Sequence, residues 1–252
     1  MTTQTVQVVE KIASIHRSIF WAYEENGLSY PIVSVKRAAQ RNPGHKFEVY
    51  EPTGDYNTAP VAGKQACSAD VPEAIKRGLM VWNECDFAVQ TLFHSLQKQL
   101  SGSLPGTRVQ WLSVDIAPIF IFREPDAGAD DPVPAHSAFF ITLPGDGGEF
   151  VVDFTIEQFG YGRERWFLPF EEYKAMTCDG SWYIYEYEDR GVDLQNAFTD
   201  EHLRSQRVMR ELCDEVDWVV VQQMAESDCA AFMKMTYRGM HEQHRPKKRA
   251  YA

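Results

Sequence analysis

One thiol in this chain stands where a helix would make it reactive. In the run Asn83-Glu-Cys-Asp-Phe-Ala-Val-Gln-Thr-Leu-Phe-His-Ser-Leu96, the residues Cys85, Ala88, Val89, Leu92, Leu96 and Leu100 recur in three- and four-residue steps. The cysteine therefore heads the buried face of a helix. With Asn83 as N-cap, Cys85 falls in the first turn, where unpaired N–H groups and the helix dipole favour a thiolate and could stabilise an oxyanion. A thiolate nucleophile needs a base, and the base needs an orienting group. Both can come from one hairpin. His136 opens the strand His-Ser-Ala-Phe-Phe-Ile-Thr-Leu143, Pro144-Gly-Asp-Gly147 supplies a turn, and Gly148-Glu-Phe-Val-Val-Asp-Phe-Thr155 returns. If residues 144–147 form the loop, His136 lies opposite Thr155 and Asp153 is its diagonal neighbour on the same face. An odd loop would put the carboxylate on the other face. The chemistry such a set supports is nucleophilic attack on a carbonyl.

Other residues compete for these roles or could assist them. Cys67, in Gln65-Ala-Cys-Ser68, is the alternative nucleophile: its loop is exposed and Gln65 could donate to an oxyanion, but no helix begins at Cys67. Cys85 is preferred on that ground. Gln158 could orient the histidine or contact a substrate amide, and Trp166 could wall a pocket or simply pack in the core. Cys178 reads as a turn residue, and Cys213 and Cys229 as helix packing. His94 reads as an edge residue of the cysteine helix. The acidic stretches Glu186-Tyr-Glu-Asp189 and Asp126, Asp130 and Asp131 could attract a cationic substrate, or form a solvated face.

The elements that must hold these side chains follow from periodicity. Apolar residues Val8, Val9, Ile12, Ile15, Ile19, Phe20 and Tyr23 mark a helix over residues 5–25 that Asn26-Gly27 ends. A short strand is predicted over 46–51, followed by Pro52-Thr53-Gly54. Asp70, Pro72 and Glu73 predict a capped helix to about Trp82, and a second helix runs from near Asn83 to Leu100. Strands are predicted over 108–114, 118–123, 137–143, 149–154 and 181–187 from their β-branched and aromatic residues. Helical spacing returns after Asp193. The expected fold is α+β. A central antiparallel sheet carries the cysteine helix, with helical segments 1–26 and 194–244 around a core of residues 83–190 in a single domain.

Composition sets limits. The 252 residues are 44% hydrophobic and 13% aromatic, enough for a large core, and no apolar run has the length of a membrane span. The net charge is −11, and the tail Arg245–Arg249 contributes four positive groups, so the remaining body is more acidic still. Such a body repels phosphate backbones, and nucleic acid is not an expected partner. Five cysteines without a Cys-x-x-Cys argue against a disulfide scaffold, and with no signal peptide visible the cytosol is expected. His241 and His244 lack neighbouring metal-ligating residues and read as a frayed helix end rather than a zinc site. No nucleotide-binding or His-Glu-x-x-His motif occurs, so no metal or cofactor is implied.

The order Cys85, His136, Asp153, with the phrase Val-Val-Asp-Phe-Thr-Ile-Glu-Gln-Phe-Gly160, resembles the papain-like, transglutaminase-like cysteine enzymes. It is similar to the transglutaminase core and to arylamine N-acetyltransferases, and the likeness covers residues 83–160. The resemblance implies a cysteine-dependent acyl-transfer enzyme acting on an amide or thioester, with a small molecule or peptide as substrate. Water as acceptor would give an amidase or peptidase, and an amine would give a transferase. The alternative is a non-catalytic relative that binds a peptide or partner in the cleft.

Overall fold

In a computed structural model the chain is described over residues 3–29, 31–38, 46–55, 60–62, 71–124, 133, 135–191 and 198–244. Cys67, Gln65, Asp70, the acidic group Asp126, Asp130 and Asp131, and the basic tail lie outside these residues.

The α1 helix (Thr3–Asn26) buries Ile12, Ile15, Ile19 and Phe20 completely, on the face its periodicity marks. Two short strands, β1 (Leu28–Ser29) and β2 (Ile32–Arg37), lead to β3 (Glu48–Gly54) and β4 (Val61–Ala62). Pro52 and Thr53 thus lie inside a strand rather than after one. Pairing explains why the proline is tolerated: β2 pairs with β3 from Tyr50 to Gly54, but β6 (Phe120–Phe122) covers only Glu48 to Tyr50, so one edge of β3 is open at Pro52. Phe120–Phe122 pairs in parallel with β3 and does not join the central sheet. The α2 helix (Glu73–Met80) starts after Pro72 and stops short of Trp82, and the α3 helix (Cys85–Ser103) follows.

The central sheet has the order β10-β5-β7-β8-β9, antiparallel throughout, built from β5 (Arg108–Ile116), β7 (His136–Thr142), β8 (Glu149–Val152), β9 (Phe167–Pro169) and β10 (Cys178–Tyr185). Phe167–Pro169 carried too short a pattern to be read as a strand. Cys178 is not a turn residue but starts β10, just before a register shift. Two further helices, α4 (Phe170–Thr177) and α5 (Tyr187–Gly191), flank β10. The chain closes with α6 (Asp200–Glu215), α7 (Trp218–Gln223) and α8 (Glu226–Gln243).

The sheet separates two apolar clusters by strand alternation. Trp111, Phe139, Ile141, Phe150 and Val152 face α1, α3, α6 and α8, while Leu112, Ala138, Phe140, Val151 and Leu168 pack on the other side with Phe170 and Tyr173. The architecture is α+β, with α3 against β5 and β7 and helices from both chain ends around them. No described helix is long and apolar enough to cross a membrane. His241 corrects the frayed-end reading. It lies inside α8, 2% exposed, with Nε2 2.9 Å from Glu201.

Candidate active site

The hairpin register decides the site. Thr142 pairs with Glu149 and Phe139 with Val152, so the loop has the even count that keeps residues 136 and 153 on one face. His136 Nε2 is 2.7 Å from Asp153 Oδ2, and both residues are buried, at 0% and 1% exposed. Asp153 also accepts from Tyr173 Oη at 2.8 Å and from the Thr155 N–H at 3.0 Å. A carboxylate taken out of water needs such donors, because burial strips its hydration. The Thr155 N–H contact is an Asx-type turn, and the Thr155 hydroxyl donates to the same oxygen at 3.4 Å.

The other side of the imidazole meets the cysteine. Burial alone would drive the His136 pKa down; the Asp153 charge and hydrogen bond, with the Cys85 hydrogen bond and charge added, outweigh it and raise it to about 10. With Nε2 held by Asp153, Nδ1 is the nitrogen left for Cys85, and Gln158 Nε2 lies 3.4 Å from it. The Phe159 ring packs edge-on against the imidazole, with centroids 4.8 Å apart.

Cys85 is half-buried and is the first residue of α3, so its own N–H has no intrahelical acceptor. Asn83 is not the N-cap. Glu84 takes that place, and Asn83 adopts a left-handed backbone, φ 63°, which asparagine tolerates better than most side chains. This conformation directs the Asn83 N–H to Gln158 Oε1 at 3.1 Å. One carboxamide therefore ties the turn before the cysteine to the imidazole. The acidic neighbours are engaged elsewhere: Asp86 accepts from Ser137 Oγ at 2.5 Å, and Glu84 lies 3.4 Å from Tyr23 Oη and 3.6 Å from His202 Nε2.

Gln158 sits on a 3-10 turn, Ile156–Phe159, that α2 crosses closely. A Cβ at Gly78 would come within 2.6 Å of the Glu157 carbonyl, so glycine is required at this crossing. Glu157 is clamped by Arg77, at 2.7 Å from Nε.

Cys85, His136, Asp153, Asn83 and Gln158 thus come together, and Trp166 does not. Its backbone carbonyl accepts from the Asp153 N–H at 2.8 Å, but its indole packs in the helix-side cluster near Phe154 and Phe167 with the Arg17 guanidinium 5.2 Å above it. Cys213 and Cys229 are buried, and burial raises the Cys213 thiol to about 12, as expected of packing residues. His94 is exposed beside Tyr187, and Glu186 accepts from Arg108 and Gln110. Sequence reasoning missed Tyr173, which carries no local signal because it arrives from a separate helix. No group of three or more His, Cys, Asp or Glu suited to a metal occurs among the described residues. No family model, curated protein or solved structure matches the chain.

Proposed function

We propose that this protein is a cysteine-dependent acyl-transfer enzyme of the papain-like, transglutaminase-like type. The supporting observation is the line Cys85–His136–Asp153, in which the thiol is the accessible member and the pair behind it is sealed from water. Cys85 gives its proton to His136 as Sγ attacks the carbonyl carbon of an amide or thioester, and the oxyanion is held by the Cys85 N–H and the Gln158 carboxamide. The C–N or C–S bond breaks, and the leaving amine or thiol takes its proton from His136. Water or an amine then attacks the acyl-cysteine, His136 accepts the incoming proton, and the free cysteine returns. Asp153 holds the imidazole in place throughout and stabilises its cationic form whenever it carries the proton.

Mass spectrometry after incubation with p-nitrophenyl acetate and a thioester panel tests this directly. An acetyl or acyl adduct should form on Cys85, persist in Cys67→Ala and vanish in Cys85→Ala. An adduct on Cys67 alone would transfer the nucleophile to that residue. Absence of any adduct, with iodoacetamide reacting no faster at Cys85 than at the half-buried Cys178 near neutral pH, would instead support a binding module.

A further inference from the structure

The thiol and the imidazole are carried on opposite faces of the central sheet. His136 pairs with Val114 and shares its face with Ala138, Phe140 and Phe159, whereas α3 packs on the other face, over Trp111 and Phe139. Cys85 and His136 therefore meet around the first residue of β7. The helix does not order its own end for this approach, because the N-cap Glu84 makes no side-chain cap bond to the first turn. Two bonds from outside the helix flank the cysteine instead. Gln158 Oε1 takes the Asn83 N–H on one side. On the other, Ser137 Oγ donates to Asp86 Oδ1 at 2.5 Å and accepts from Trp111 Nε1 at 2.9 Å.

Ser137 pairs with Ser113, so Trp111 is its diagonal neighbour on the face that α3 covers. The direction of this chain of bonds is fixed. An indole N–H only donates, so the single Ser137 proton is left for the Asp86 carboxylate. Trp111 is 0% and Ser137 2% exposed, and neither has bulk water as a substitute partner. Each end of the Ser137–Asp86 bond adjoins a reacting group: Asp86 follows Cys85, and Ser137 follows His136. A carboxylate beside a nucleophilic thiol works against the thiolate, and its bond to Ser137 is what accounts for its place. We propose, resting on the acyl-transfer reading of Cys85, that Asp86 and Ser137, backed by Trp111, are positioning residues that hold the thiol against the His136 imidazole.

Two readouts on the full chain test this. Acetylation of Cys85 by p-nitrophenyl acetate, followed by mass, should slow roughly tenfold or more in Ser137→Ala and in Asp86→Ala, because a displacement of about 1 Å between reacting groups costs on the order of 100-fold. Asp86→Asn keeps an acceptor for Ser137 and loses only the charge, so it should recover most of the rate that Asp86→Ala loses. The His136 ring titration, followed by NMR, separates positioning from general destabilisation. Cys85 helps to hold the proton on His136, so Ser137→Ala should lower the midpoint as Cys85→Ala does, and lower it no further in the Cys85→Ala background. If the wild type takes no acetyl group at Cys85, the acyl-transfer reading fails, and the His136 midpoints alone decide whether Asp86 and Ser137 hold the contact. Faster acetylation in Asp86→Ala, a wild-type rate in Ser137→Ala, or a Ser137→Ala midpoint that stays in place or still shifts without Cys85 overturns the proposal.

Discussion

Two histidines, both 0% exposed, meet opposite fates in this molecule. His16 lies in the helix-side core, with Nδ1 2.9 Å from the Ile12 carbonyl, Nε2 3.0 Å from Ser95 Oγ and its ring stacked on Trp218. Burial lowers its pKa to about 4, only partly offset by the backbone bond. His136 lies at the end of the central sheet, where the charge and hydrogen bond of Asp153 overcome the same burial and lift it to about 10. Desolvation is common to both; a buried carboxylate is present at one alone. Burial by itself makes a neutral structural histidine, and the carboxylate is what turns it into a base that can hold and release a proton.

Removing that carboxylate should have the largest effect. Asp153→Ala leaves the ring buried without its counter-charge, and chemical denaturation should show a loss of about 3–5 kcal/mol. The His136 ring resonances should then titrate below the usual range, as His16 does; a pKa still above 6.5 would break the contrast. Tyr173→Phe deletes one donor to the buried carboxylate and should cost about 1.5–3 kcal/mol in the same assay, with the His136 pKa moving up, because the carboxylate is then less stabilised by other donors. His16→Leu keeps volume and removes two neutral hydrogen bonds, so a loss near 1 kcal/mol is expected.

The two sites also separate by pH, with opposite signs. A pKa raised from 6.5 to about 10 means the folded state binds the extra proton, so the contribution of His136 is full below pH 6.5 and lost as pH rises toward 10. The advantage of wild type over His136→Gln should therefore shrink across that window. A pKa lowered to about 4 means the unfolded state binds the extra proton, so stability falls as pH drops from 6.5 to 4. His16→Leu should flatten this acid limb while leaving the alkaline one in place. Denaturant midpoints across pH 4–10 check both, and a shared slope would collapse the comparison.

Legibility followed the range of the interaction. The His136–Asp153 pair could be read because strand alternation and one turn length fix it within a single hairpin. The α3 boundary could be read only to within two residues. Asn83 has a good cap side chain, but the chain twists left-handed there and hands the cap to Glu84. Trp166 lay close in sequence to Asp153, yet strand β9 turns its ring toward Arg17 and the helices. Tyr173, and the clamp of Glu157 by Arg77, had no sequence signal because each joins elements far apart along the chain.

The amino-acid pattern alone determined the α+β class, the apolar face of α1, the cysteine at a helix start and the face shared by His136 and Asp153. These depend on backbone period and turn length, which act between near neighbours. The tertiary structure alone decided that Cys85 meets that imidazole and that Gln158 bridges them to Asn83. Those facts rest on how helices and sheet pack, and packing is set by side chains that local periodicity does not relate.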